Sequence, residues 1–533
     1  MNKSFEKLKE KLRKTSGVAL IWAIILVGVV AGLLLTIVTL TILGLNISKQ
    51  RVRQLSALDV AEAGINYYLW HLVHAPSDYC DGKPCVGAPP YGPYVHNYTD
   101  NTGNVIGTYT IWIASPGITQ GGKVVICHIP PPGPHTITVA PSAVKAHLAH
   151  GDTIGSCEGG GGSSSNTVVV ESRGDVSDGN ENRTIVATLG IPSFARYAVV
   201  ANDTVNHIRF GVGTEVWGPI HNNGGVRFDG VAHALVTSAL ARYDDPDHSG
   251  PLESGVHTHQ PNPSQVFLGG TSFPVPPVDF SKISTDFTNL KSKAKNGGIY
   301  FDSSKASGYH IVLRPTSNTF DIYKVKNVSS TCSNIDTDKI TDETKVSLGN
   351  SFPSNGVIFV EDKLWVEGQI NGAALTIAAA KIGATQNEYK SIIINHDLKY
   401  TNYDGSDKIG LVAQGNISVG LYSDGSFSGT DDQKELRVDA AMIAQNGRVG
   451  RNYFARDCDS TYYQRNIITV YGSISTNQRY GFAWICGDTW TRNDPCDSGY
   501  ETRNLNFDQN MTLSPPPFFP TTGTYAILDW REE

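Results

Sequence analysis

Hydrophobic positions are distributed along this chain in three regimes. From Val18 to Leu45 the sequence is apolar and free of charge; as a helix rising about 1.5 Å per residue it exceeds the ~30 Å hydrocarbon core of a bilayer. From Asn46 to Leu69 the run turns amphipathic, with Leu55, Leu58, Ala61, Ile65 and Leu69 at helical spacing. A single helix over 18–74, with a membrane-spanning segment at 18–45, is the expectation. Beyond it the pattern changes to short apolar runs punctuated by Gly and Asn, which predicts strands.

Before the apolar run lies a leader, residues 1–17, carrying Lys3, Lys7, Lys9, Lys11, Arg13 and Lys14 against Glu6 and Glu10. Its charge predicts a cytoplasmic N-terminus with the bulk of the chain outside the cytoplasmic membrane. A secretory signal would have an apolar region about half as long and a small-residue cleavage site; no convincing one follows Leu45.

Gly17 at the end of the leader, Val18-Ala19-Leu20-Ile21 opening the apolar segment, and Ala61-Glu62-Ala63-Gly64 closing the amphipathic half together resemble type IV pilin-like proteins. The similarity is greatest to PilX-like minor pilins and to the tip pseudopilins of type II secretion. The resemblance implies cleavage between Gly17 and Val18 by a prepilin peptidase, followed by packing of helix tails with other pilins. It also implies residence in the inner membrane and then in a cell-surface filament. One position departs from the family. The fifth residue after the cut is Trp22, where most pilins carry a glutamate that pairs with a neighbour's N-terminal amine. A buried unpaired charge is costly, so a subunit lacking that carboxylate fits a tip or low-copy place. A plain single-pass anchor, never processed, is the alternative.

The chain has 533 residues, 40% hydrophobic and 17% charged, with 54 Gly and a net charge of −7. That leaves ample length for an exported core. Basic residues cluster only in the leader and at Lys49–Arg53, which argues against nucleic acid as a partner. Residues 75–120 form a small strand-containing region, with Val105–Ile113 as its clearest strand. Residues 121–158 form a Cys/His-rich module, 159–166 a Gly/Ser linker, and 167–533 a β-rich head.

Eight cysteines outside the membrane permit disulfides. Neighbour pairing would join Cys80 to Cys85 and Cys486 to Cys496. Within the module, Cys127, His128, His135, His147, His150, Asp152 and Cys157 are candidate ligands for zinc. The module resembles a histidine-rich segment recurring in bacterial extracellular proteins. A Cys127–Cys157 disulfide is the competing expectation. In the head, Asp245, Asp247, Ser249 and Glu253 alternate oxygen donors around a glycine, as calcium loops do; a solvated turn explains the same pattern.

The head's short apolar rungs within 356–378, 409–419, 440–449 and 468–475, each turned by Gly or Asn, suit a β-solenoid, with a β-sandwich as the alternative. The fold class is therefore α+β, a long N-terminal helix followed by a mainly β region. No nucleophile elbow, zinc-protease or phosphate-loop motif is present, so no enzyme is expected. A pilus component serving assembly and adhesion, through surface glycans or partner cells, is the functional expectation. A type II secretion tip component and a membrane-anchored carbohydrate-binding or carbohydrate-active protein are the alternatives.

Overall fold

The computed structural model describes residues 2–75, 78–85, 90–114, 118–119, 123–128, 135–139, 153–154, 168–204, 207–246, 250–329, 331–333, 335–487, 489–512 and 514–533. Of these, side chains are described outside 2–19, 118–154 and 284–285. Two compact units emerge: residues 1–114 with 169–187 and 529–533, and residues 115–168 with 188–528.

In the first unit one helix runs from Asn2 to His74, continuing through the leader. Its buried face is Ala57, Val60, Ala61, Ile65, Tyr68 and Leu72. That stripe is rotated from the expected one, since Leu55 is exposed and Leu58 and Leu69 are half-buried. The reason is steric. Small residues on this face let the helix lie almost directly on sheet backbone.

That backbone belongs to a five-stranded sheet ordered Tyr91–Thr99, Val105–Ala114, Val168–Val176, Asn182–Gly190, Ala526–Glu532. The first three pair antiparallel. Alternation decides the faces: Tyr109, Ile111 and Ile113 on one strand, and Val168, Val170 and Val176 on the next, point inward. A Cβ at Gly174 would run into the Ala57 carbonyl and the Ala61 amide; one at Gly64 would meet Ser172. Glycine at both is a condition of the packing.

Here the structure redraws a boundary. Strands Val168–Val176, Asn182–Gly190 and Ala526–Glu532, assigned by sequence to the head, pair in the sheet of the helix unit. The Glu533 amide donates to the Thr184 carbonyl at 3.0 Å, and Arg183 meets Glu532 at 2.8 Å. The chain therefore leaves this unit and returns to it at its C-terminus.

The second unit is built on parallel ladders. One passes in spatial order through Ile299–Phe301, Val357–Val360, Ala374–Ala379, Lys408–Ala413, Glu435–Ala444 and Gln464–Thr476. It then continues through Val199–Ala201, Ile220–Asn222, Val236–Ser238 and Thr271–Ser272. The early strands thus stack on a late one. Ile358, Ile377, Leu411, Met442, Ile474, Val199, Ile220 and Val236 stand in register along the ladder, each at most 1% exposed. This column of like side chains on neighbouring parallel strands is the core.

A helix at Ile283–Lys295 lays Ile283, Phe287, Leu290 and Ala294 onto the same core. Their spacing of four, three and four gives one helical face. Arg451, fully buried, donates to the carbonyls of Leu421, Tyr462 and Tyr463 at 2.8–3.2 Å. Burial pushes its guanidinium down to about 10.

Candidate functional site

The N-terminal helix presents two surfaces of opposite character. Between Leu20 and Leu55 its large hydrophobic side chains are 46–74% exposed, Trp22 among them at 67%. By length and composition the helix from Leu20 can cross a membrane. Gly17 and Val18 lie within it, their side chains outside the described set. Thr36, Thr39 and Thr41 return their hydroxyls to carbonyls one turn back, so these three hydroxyls need no partner outside the helix.

At the other end of this helix a polar clasp closes the unit. Asp81 accepts from Tyr67 Oη at 3.0 Å and pairs with His96 Nε2 at 2.9 Å. Burial, then the Asp81 hydrogen bond and charge, push the Tyr67 phenol up to about 12. The Cys80–Cys85 disulfide, expected from spacing, closes the loop carrying Asp81.

Cys486–Cys496 also pairs as expected. The bridge between Cys332 and Cys458, separated by 126 positions, was not legible from spacing. In the Cys/His module, backbone pairing sets His128 directly opposite His135 and Cys127 opposite Thr136 and Thr153. His147, His150, Asp152 and Cys157 lie outside the described residues.

The residues read as a calcium loop are only partly described, since Asp247 and Ser249 fall outside. Glu253 pairs with Tyr243 across a short antiparallel ladder. Asp245, its side chain fully buried, faces imidazoles: His257 Nε2 at 3.1 Å, His259 Nε2 at 3.5 Å and His207 Nε2 at 3.6 Å. Sequence reasoning passed over all three. The signal was His257-Thr258-His259, an alternation that turns two histidines to one side of an extended segment. Burial pushes the His257 imidazole down against the opposing charge of Asp245.

A cleft of about 550 Å³ is lined by His310, Glu343, Glu367, His396, Tyr422 and Tyr462. His310 Nδ1 meets Glu343 at 3.0 Å, and its Nε2 lies 3.8 Å from Glu367. Burial alone would lower the imidazole, but the hydrogen bonds and charges of Glu367 and Glu343 outweigh it and its pKa is raised. Burial would raise Glu367, yet His310 and its neighbours hold it below the usual range.

No protein-family model matches the chain, and no curated protein does. Among solved structures, the crystal structure of the competence-associated pilin ComZ from Thermus thermophilus is similar at 12% identity. The match covers 90% of this chain and 97% of that one, with a TM-score of 0.27. So low a score carries no argument about fold or function.

Proposed function

We propose that this chain is a pilin-like subunit of a surface filament, present in low copy and placed at or near the tip. The observation that carries this reading is the division of the N-terminal helix. From Leu20 to Leu45 it is apolar and bare, while from Ala57 to Leu72 it is packed on a sheet of its own unit. A bare apolar rod must be covered by lipid or by like rods, and the second state is what a filament core supplies. Trp22 favours a place where no neighbour's amine needs a carboxylate, and the bulky β-rich unit would crowd a lattice if repeated at every step.

Prepilin peptidase, the cytoplasmic membrane and other pilins are then the partners, with surface glycans or partner cells the targets of the head. Shearing cells and separating released filaments tests this. The chain should co-purify with the filaments at a few copies each, and gold label against the head should mark filament ends. Label recovered only in the membrane fraction would contradict the reading.

A further inference from the structure

Within the second unit, strands His207–Phe210, Gly225–Phe228 and Val256–His257 stack in parallel, with His207 opposite Gly225 and Arg227 opposite His257. This ladder brings His207 and His257 to one place, and Asp245 reaches the same place from the intervening excursion. A Cβ at Gly225 would enter the ring of Tyr243, so glycine makes the seat in which that ring lies. Tyr243 Oη is in turn 3.1 Å from His257 Nδ1. The His259 amide donates to Asp229 at 2.8 Å and the Thr258 hydroxyl at 3.3 Å, while Asp229 pairs with Arg227 at 2.8 Å. The histidine pair is therefore held from behind.

We propose that Asp245, His257 and His259 bind one divalent transition-metal ion of the zinc class. Their ligand atoms all lie within 4.8 Å of one another. Donors around a tetrahedral ion at ~2.0–2.1 Å sit about 3.3 Å apart, and the His257 and His259 Nε2 atoms are 3.1 and 3.5 Å from Asp245 Oδ2. Two imidazole nitrogens and one carboxylate oxygen suit zinc and its neighbours, and calcium takes oxygen alone.

With Nε2 on the metal, His257 would carry its proton on Nδ1 and donate it to Tyr243, the outer support that metal-bound histidines usually have. His207, on the other oxygen of Asp245, positions that carboxylate. The ion would pin the excursion between Tyr243 and Glu253 to the ladder. His259 is 31% exposed at its side chain, so the fourth position opens toward solvent.

The test uses the full-length protein in detergent, stripped with chelator and reloaded with zinc or cobalt. Because the Cys/His module holds further candidate zinc ligands, the readout is the difference between wild type and His259→Gln, with His257→Ala/His259→Ala alongside. Wild type should bind one more zinc per chain than either variant. Its melting temperature should rise with zinc by about 2–5 °C more than theirs, and cobalt should add an absorption of tetrahedral N/O type absent from both. Equal stoichiometry in wild type and His259→Gln, with both folded by circular dichroism, would overturn the proposal. Should the double variant fail to fold, the His259→Gln comparison still decides.

Discussion

The first half of the N-terminal helix and the parallel-ladder unit are built from the same residues, Val, Ile, Leu and Ala, yet they end in opposite environments. Leu35 is 74% exposed and Leu411 not at all. In the ladder an apolar residue such as Leu411 sits between its counterparts on the two neighbouring strands, so burial is completed within the chain. In the helix the large apolar side chains from Leu20 to Leu55 stay exposed, and cover must come from outside. The packed half of the same helix lies between these extremes, buried through small residues and backbone.

That comparison can be broken most severely at the packed half. Gly174→Val places a side chain against the Ala57 carbonyl and the Ala61 amide, neither of which can move aside. We expect the helix unit to lose about 4 kcal/mol or more, read as collapse of amide-exchange protection over 57–72 with the ladder unit unchanged. Gly28→Val, with nothing within 4 Å, should leave the isolated chain within about 0.5 kcal/mol of wild type.

A smaller loss should come from Leu411→Ala, which cuts the column between Ile377 and Met442. Removing a fully buried leucine costs about 2–4 kcal/mol, visible as a lower urea midpoint of the ladder unit. Leu35→Ala in detergent should change nothing measurable. Equal effects at the two leucines would end the distinction drawn here.

These contrasts show what the sequence could and could not reveal. The apolar run 18–45 and the rungs around Leu411 are local patterns, and they were readable. The helix's buried face was misread because Leu55 and Leu58 outscore Ala57 and Gly64 in hydrophobicity, while the sheet selects for small size. The strands at Val168–Val176 and Ala526–Glu532 look like any other rung, and only pairing assigns them to the helix unit. The stacking of Val199–Ala201 on Ile474–Thr476 is likewise a long-range fact. So is the histidine cluster: Asp245 stood out only as part of an oxygen-rich loop, and the imidazoles it faces depend on which strands stack.

The smallest effect is electrostatic and belongs to the cleft. A histidine with a raised pKa contributes stability that is complete below its ordinary value near ~6.5 and is lost as pH rises through the folded value. For His310 that window opens above about 6.5, where the melting temperature of the ladder unit should decline. Glu367→Gln removes one of the two carboxylates responsible, and the decline above about pH 6.5 should flatten. An unchanged slope would show that His310 is not its source.

The claim on which the comparison rests is that the bare half of the helix exists to be transferred from lipid to a bundle of like helices. Mass spectrometry of the mature N-terminus, from cells that possess a prepilin peptidase, tests it most directly. A chain beginning at Val18 is the expected result; one still beginning at Met1 would contradict the account.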